Sequence, residues 1–240
     1  MASVRDIHPG STASGCAGCH VRHLCLPAKL APDEIDRFNT LLRRRGPYGR
    51  GDVLYSPGDP LDALYIVQVG SVKSVGVTGH GAEYITRFHL PGDLVGADAI
   101  DRGLHHWSAV ALERTWLCAV PFEQVEALGG DIPGLGRALT RALSCELMTN
   151  EAALITLGKL NAEQRLLWFL NDLHGRLQAR LGNSDQISLP MSRADIASYL
   201  GMTTETVSRL LAQLQTEGVI QFNNRSVRIQ RRRTPARRCR

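Results

Sequence analysis

The sequence lacks any segment of the kind that would place the chain in a membrane or direct its export. None of its apolar runs approaches the roughly 18–20 residues that span a bilayer. The first ten residues, MASVRDIHPG, contain no apolar core and are not typical of a signal peptide. We therefore expect a cytoplasmic protein without a membrane partner. Thiols stay reduced in that compartment, so clustered cysteines indicate metal or redox ligands before disulfides.

The chain also lacks the short motifs by which many enzymes are identified. It has no Gly-rich phosphate loop, no nucleophile elbow and no paired-carboxylate motif. Its 240 residues, 43% apolar and 21% charged, are typical of an ordinary globular protein with room for two hydrophobic cores. We therefore do not expect an enzyme.

A basic surplus is absent outside one short segment. The net charge is +5, but residues 228–240, RIQRRRTPARRCR, hold seven of the 28 basic residues and no acid. The other 21 basic residues stand against 23 acidic ones, so the body of the chain is mildly acidic. The basic tail, residues 231–240, is weak evidence for nucleic-acid binding unless a DNA-reading element precedes it.

Apolar spacing divides the middle of the chain into a strand-rich and a helical region. Residues 31–45 predict one amphipathic helix that ends before Gly46. Short alternating segments split by Gly and Asp follow as far as Pro121, and they predict an antiparallel β-roll domain over residues 31–130. Residues 131–160 predict a long helix whose apolar stripe favours pairing with a second copy of the chain, with an intramolecular core helix as the alternative. The stripe consists of Leu135, Leu139, Ala142, Leu143, Leu147, Leu154 and Leu157.

Residues 161–230 have the pattern of a winged helix-turn-helix domain. Ser192 can cap a short helix, Gly201 can end it in a tight turn, and Thr203 or Thr204 can cap a second helix. The segment that follows, VIQFNNRSVRI, predicts a β-hairpin with two asparagines at its turn, which would form the wing.

The second helix of this pair has one face suited to reading DNA. At about 100° per residue, Val207 and three leucines share an apolar face, and Glu205, Ser208 and Arg209 lie on the other side. Arg209 can donate two hydrogen bonds to guanine, Glu205 can accept from cytosine N4, and Ser208 can reach a base or a phosphate. We therefore expect double-stranded DNA as a partner.

Three cysteines and two histidines lie close together in an N-terminal arm, residues 1–30, that has no helical or strand periodicity. Cys16, Cys19 and Cys25 have the spacing C-x2-C-x5-C. Three thiolates leave a metal site one ligand short. The neighbouring histidines could complete a zinc site, because zinc accepts mixed Cys and His ligands.

The order of these elements resembles the CRP/FNR superfamily of bacterial transcription regulators, over residues 15–230. The segment DIASYLGMTTETVSRLL is especially similar to the FNR branch, whose recognition helix carries Glu-x-x-Ser-Arg, here Glu205, Ser208 and Arg209. The resemblance implies an α+β fold with an N-terminal antiparallel β-roll, a long dimerisation helix and a C-terminal winged helix-turn-helix. It also implies a homodimer, promoter DNA with palindromic TTGAT-type sites, and RNA polymerase as partners, with the loop Thr78–Glu83 as a candidate contact for the polymerase.

FNR proteins hold a [4Fe–4S] cluster, and the resemblance implies an oxygen-responsive regulator whose cluster controls dimerisation. His20 would then lie beside the ligands and tune the cluster, and Leu24 would shield it from oxygen. Four thiolates are the usual ligand set of such a cluster. By resemblance the ligands are Cys16, Cys19, Cys25 and Cys118.

Cyclic-nucleotide binding, zinc or thiol-redox sensing and electron transfer are the other functions that parts of the sequence suggest. CRP binds a cyclic nucleotide through a Gly-Glu-Leu-Gly stretch and an Arg-Ser-Ala triplet, where this chain has Gly96–Ala99 and Trp107–Ala109. Ala97 and Trp107 replace the glutamate and the phosphate-binding arginine, so we expect no cyclic nucleotide. A zinc or thiol-redox sensor of the same fold is the alternative, and an iron–sulfur electron carrier would leave the helix-turn-helix without a use.

Overall fold

The computed structural model of the protein describes residues 15–127, 132–181, 186–223 and 226–230. The basic tail at 231–240 and the second asparagine of the expected hairpin turn lie outside the described residues. The chain divides into two compact units, of which the first ends at Ser144 and the second begins at Cys145. Within the described residues, no helix combines the length and the apolarity that crossing a bilayer requires.

The first helix ends earlier than the sequence predicts. Helix α1 covers Pro32–Leu41 and does not extend to residue 45. The three arginines that follow belong instead to strand β1 (Arg43–Tyr48), which pairs antiparallel with β8 (Thr115–Pro121). Arg44 lies opposite Cys118 in this pairing. The prediction failed because pairing with a distant strand outweighs the weak local preference of an arginine run for a helix.

Two antiparallel four-stranded sheets make up the β-roll in the described part of the first unit. One sheet consists of β1, β8, β3 (Ala63–Val69) and β6 (Leu94–Val95), in that order, and the other consists of β2 (Val53–Tyr55), β7 (Ser108–Ala111), β4 (Val72–Val77) and β5 (Glu83–His89), in that order. The turn between β3 and β4 needs Gly70 (φ 86°), because a Cβ there would overlap the backbone of Arg114. The β-roll predicted from the sequence is therefore confirmed.

One hydrophobic core joins the cysteine segment (residues 15–30), α1, the first sheet and the beginning of the long helix. The roll is followed by α2 (Phe122–Ala127) and then by α3 (Pro133–Lys159), which is the long helix. Apolar side chains from all of these elements pack together and exclude water. The core residues are Cys16, Leu26, Leu30, Phe38, Leu41, Leu64, Ile66, Leu94, Val120, Val125, Ile132 and Leu135.

The apolar stripe of α3 is divided between two environments. Leu135 is buried in the core of the first unit, and Leu139 and Ala142 pack against that core. The first part of the stripe is therefore intramolecular, which was the alternative to pairing. Four large apolar residues further along are exposed, and we call them the exposed stripe. They are Leu147 (61% exposed), Met148 (52%), Leu154 (69%) and Ile155 (64%).

The second unit contains the winged helix-turn-helix that the sequence predicts. Asn161 and Gln164 form the expected reciprocal cap at its first long helix, since each side-chain oxygen accepts from the other residue's backbone N–H (2.9 and 3.1 Å). The three strands form an antiparallel sheet in the order β10-β11-β9. The elements are α4 (Ala162–Leu181), β9 (Gln186–Ser188), α5 (Arg193–Leu200), α6 (Thr204–Thr216), β10 (Ile220–Asn223) and β11 (Ser226–Ile229).

Candidate metal centre and nucleic-acid interface

Four cysteines from distant parts of the sequence line one cavity in the first unit. Cys16, Cys19 and Cys25 come from the cysteine segment, and Cys118 comes from the middle of β8. The cavity has a volume of about 240 Å³. Cys16 is buried and the other three are half-buried, and all four are free thiols. The structure therefore brings together all four residues that the family resemblance suggests as ligands.

Tight turns and one side chain of α1 hold the cysteine segment in place. The backbone N–H of Cys19 donates to the carbonyl of Cys16 (3.2 Å), and the N–H of Arg22 donates to that of Cys19 (3.1 Å). The Oδ1 atom of Asn39 accepts from the backbone N–H of Cys16 (2.8 Å). The first cysteine of the segment is thus fixed to α1 by a hydrogen bond between residues far apart in the sequence.

The protein environment opposes ionisation of three of these thiols, those of Cys16, Cys25 and Cys118, unless a cation compensates for their charge. Burial raises the pKa of the Cys16 thiol to about 12 and that of Cys118 to about 11, and it also raises the pKa of Cys25. Neighbouring thiolates add to these increases, whereas the Arg44 guanidinium lowers the pKa of Cys16 and Cys118. Metal ligation requires thiolates, and bound metal cations supply the positive charge that stabilises them.

The spacing of the donors bears on which metal group would fit. Among the described residues, no three Cys, His, Asp or Glu side chains converge closely enough to hold one metal ion. A single zinc ion needs four donors at about 2.0–2.3 Å from one point. In a [4Fe–4S] cluster each thiolate binds a different iron, so the four sulfur atoms stand further apart around the cluster. Four thiolates can ligate either group, and the four cysteines that line the cavity supply that number.

Several polar residues of the cavity wall were not foreseen from the sequence. Asn39, Arg44 and Gln68 line the cavity with the cysteines. Gln68 is 5% exposed, and its Oε1 atom has no hydrogen-bond partner among the described residues. The strand register, which places Arg44 opposite Cys118, decides which side chains reach the cavity. No local sequence signal reveals that register.

The two residues proposed to modify the cluster lie outside the cavity wall. His20 is exposed, and Leu24 packs against the loop at Gly92, where a Cβ would lie 3.0 Å from the Leu24 Cβ. Neither residue belongs to the described lining of the cavity. Val21 does line it and is 1% exposed. The tuning role of His20 and the shielding role of Leu24 stay predictions, and Val21 and Pro27 are apolar residues of this segment that line the cavity.

Side-chain caps fix the geometry of the helix-turn-helix. Ser192 caps α5, since its Oγ accepts from the backbone N–H of Asp195 (3.0 Å). Gly201 ends α5 in the left-handed conformation (φ 61°). Thr203 caps α6 through a hydrogen bond from the N–H of Thr206 (3.2 Å). These are the positions from which the sequence predicts the turn, with Thr203 as the cap.

The two faces of α6 differ as their spacing predicts. Glu205 and Arg209 are exposed, and Ser208 is half-buried. The Oγ atom of Ser208 accepts from Nη1 of Arg193 (3.2 Å), and the Arg193 guanidinium also lies over the Phe222 ring, 5.4 Å from its centroid. Arg193 therefore links the recognition helix, α5 and the wing, a role that the sequence did not reveal. The buried face consists of Val207, Leu210, Leu211 and Leu214.

Known proteins are similar to this chain over most of its length. A Crp-like helix-turn-helix domain matches residues 164–234, and a cyclic nucleotide-binding domain matches residues 45–129. The fumarate and nitrate reduction regulatory protein of Escherichia coli K12 is 38% identical over 227 residues, which is 95% of this chain and 91% of that protein. The chain belongs to the FNR branch of the CRP/FNR superfamily of transcription regulators.

Two further relatives agree with membership of the FNR branch. The anaerobic regulatory protein of Haemophilus influenzae is 38% identical over 227 residues, covering 95% of this chain and 88% of that protein. The structure of FixK2 from Bradyrhizobium japonicum has a TM-score of 0.71 and 32% identity, covering 80% of this chain and 93% of that one. The relatives are transcription regulators, so this FNR-type chain is a DNA-binding regulator and not an enzyme.

The match to a cyclic nucleotide-binding domain concerns the fold of the roll. Where CRP has its phosphate-binding arginine, this FNR-type chain has Trp107, whose ring packs edge-on against Tyr84 (centroids 6.0 Å apart). The Asp98 carboxylate accepts from the backbone N–H of His106 (2.8 Å) and of Trp107 (3.3 Å). Trp107 thus packs on an aromatic ring at this position, and the expectation that no cyclic nucleotide binds stays a prediction.

Proposed function

We propose that this FNR-type regulator senses oxygen through a [4Fe–4S] cluster and that the cluster controls its dimerisation and its binding to promoters. The observation that carries the proposal is the convergence of Cys16, Cys19, Cys25 and Cys118 on one cavity. The names of the relatives, an anaerobic regulatory protein and a fumarate and nitrate reduction regulatory protein, support a role in gene control without oxygen. The bound cluster would supply the oxygen-labile centre.

Two parts of the chain would hold the cluster, and other residues adjust the surroundings of the four thiols. Cys16, Cys19 and Cys25 would hold the cluster from the cysteine segment, and Cys118 would hold it from the sheet, in which β8 pairs with β1 and β3. Val21 excludes water from one side of the cavity, and Arg44 compensates for part of the thiolate charge. Cys118 lines the cavity together with the three cysteines of the segment, and no histidine belongs to its described lining, which supports a four-thiolate cluster over a zinc site completed by a histidine.

Dimerisation through α3 is the step that would couple the cavity to DNA. The exposed stripe repeats at seven-residue spacing, since Leu147 and Leu154 are seven apart, as are Met148 and Ile155. This is the repeat by which two helices pair in a coiled coil, and a second copy of this chain is the matching partner. A dimer would present two α6 helices to successive major grooves, about one helical turn of DNA apart.

We assign the reading of palindromic TTGAT-type sites to Glu205, Ser208 and Arg209. Arg209 would contact a guanine through two hydrogen bonds, and Glu205 would accept from cytosine N4. Sensing is assigned to residues 1–30 and 31–130, dimerisation to 131–160 and DNA binding to 161–230. The basic tail would add salt-sensitive contacts to phosphates.

RNA polymerase is the further partner of a regulator that acts in the cytoplasm. The candidate contact, the loop Thr78–Glu83, is exposed and closed by a turn in which the N–H of Gly81 donates to the carbonyl of Thr78 (2.8 Å). No cyclic nucleotide is part of the proposal, because Trp107 stands where a phosphate would need an arginine.

Anaerobic purification, a visible spectrum and an iron assay test the proposed function. We expect a brown protein with about four irons per chain, which loses its colour and its binding to a TTGAT-type site when air is admitted. Cys118→Ser should remove the iron, whereas Cys145→Ser, a change outside the cavity, should not. A colourless protein that binds the same DNA in air would refute the cluster and still support a DNA-binding regulator. A zinc assay would then show whether the four cysteines bind zinc instead.

A further inference from the structure

Glu34 is the residue at which two helices of the first unit meet. It lies in the first turn of α1, and its Oε2 atom accepts from the backbone N–H of Ala31 (2.9 Å) at the start of that helix. Its Oε1 atom accepts from the backbone N–H of Gly134 (2.8 Å), in the first turn of α3. One carboxylate thus satisfies donors at the beginnings of two helices that are 100 residues apart in sequence.

The charge of Glu34 suits this position. Helix N-termini carry partial positive charge, so a carboxylate is favourable at both. The hydrogen bond from Ala31, followed by that from Gly134, lowers the pKa of the Glu34 carboxyl below its usual value. Arg137 and Arg37 contribute in the same direction. The side chain is therefore an anion at neutral pH, which strengthens both hydrogen bonds.

The contact also depends on the absence of a side chain at Gly134. A Cβ at that position would lie 2.5 Å from the Oε2 atom of Glu34 and 2.6 Å from Cδ2 of Leu30. Any other residue would therefore displace the carboxylate or the leucine. The glycine lets the first turn of α3 approach α1 closely enough for a direct hydrogen bond.

The same helix α1 holds the cysteine segment. Asn39, five residues after Glu34, accepts from the backbone N–H of Cys16 (2.8 Å) and lines the cavity together with Phe38. Cys16 and Leu135 of α3 belong to one hydrophobic core. Contacts thus run from Cys16 to α1 through Asn39, and from α1 to α3 through Glu34.

We propose that Glu34 is a positioning residue that couples the cysteine segment to the dimerisation helix, an inference that rests on the proposed function. With the four thiolates ligated, Asn39 holds Cys16 and Glu34 holds the first turn of α3. Loss of ligation releases Cys16, and the change reaches α3 by way of α1 and the carboxylate. The exposed stripe lies further along the same helix α3, so the affinity of the dimer is the property in which a change at that first turn is measured.

Hydrogen exchange and dimerisation measured on the full chain test the coupling. Glu34→Ala removes both hydrogen bonds, and the exchange rate of the Gly134 amide should rise about fivefold to tenfold. The anaerobic dimer should weaken about threefold to tenfold while iron content and visible spectrum stay those of the unmodified chain. Asp33→Ala is the matched control, because it removes an exposed carboxylate from the same helical turn without touching Gly134.

A double-mutant cycle separates this inference from the proposed function. Asn39→Ala should accelerate exchange in the first turn of α3 when Glu34 is present and have little effect in the Glu34→Ala background. The exchange measurement can be made on protein without a cluster. A colourless protein would therefore refute the proposed cluster, and the double-mutant cycle would still test the coupling through Glu34. Additive effects of the two changes would overturn the role of Glu34. If Glu34→Ala does not fold, Glu34→Gln, which keeps one acceptor oxygen, should give the same pattern with a smaller change.

Discussion

Replacing Leu154 by alanine should dissociate the dimer without unfolding the protein. Leucine loses three carbon atoms in this change, each worth about 0.8 kcal/mol when it moves from water into an apolar contact. Leu154 is 69% exposed in the single chain, so the contact with a second copy contributes about 1.6 kcal/mol per protomer. A two-fold dimer contains the contact twice, so the loss is about 3 kcal/mol, and the dimer Kd should rise about 100-fold.

Sedimentation velocity under anaerobic conditions, over a range of protein concentrations, measures this Kd. Val77→Ala is the matched control, since Val77 is an exposed apolar residue of β4 (54%) outside α3. The melting temperature of the monomer should be the same for both variants, because neither side chain is buried in the single chain. An equal Kd for Leu154→Ala and Val77→Ala would refute the assignment of the exposed stripe to the dimer interface.

Three further substitutions test other parts of the molecule. Cys118→Ser should abolish iron binding in anaerobically purified protein, as measured by iron assay, whereas Cys145→Ser retains it. Arg209→Ala should weaken binding to a TTGAT-type site by about 10–100-fold, and binding to unrelated DNA, measured by fluorescence anisotropy, should change much less. Ser192→Ala removes the cap that accepts from the Asp195 N–H, so calorimetry should show about 1 kcal/mol less stability, and an unchanged melting temperature would contradict that role of the cap.

Local signals in the sequence were enough to predict most of the helix-turn-helix. Ser192, Gly201 and Thr203 act within a few residues of their own positions, by capping or by adopting a conformation that only glycine favours. The two faces of α6 follow from a fixed rotation per residue. The same logic fails for residues 43–45, which join a sheet because a strand more than 70 positions away, at Thr115–Pro121, pairs with them.

The residues of the candidate site that the sequence did not predict depend on how distant strands are aligned with one another. Cysteine spacing and family resemblance pointed to four residues, but Arg44 and Gln68 reach the cavity only because of the way β1, β8 and β3 are aligned. The contact between Glu34 and Gly134 is of the same kind, since neither residue carries a local signal for the other. Arg193, which bonds Ser208 and covers Phe222, adds a third example.

The position of Arg193 has a consequence for how readily the base preference of this regulator can change. Its guanidinium rests on the wing and holds the Ser208 hydroxyl before any DNA arrives. Freezing such a side chain on binding costs about 0.5–1.5 kcal/mol, and here part of that cost is already met in the free protein. A substitution at Ser208 would therefore alter the support of the wing together with the proposed contact to DNA. New specificities are expected to arise through paired changes at Ser208 and Arg193.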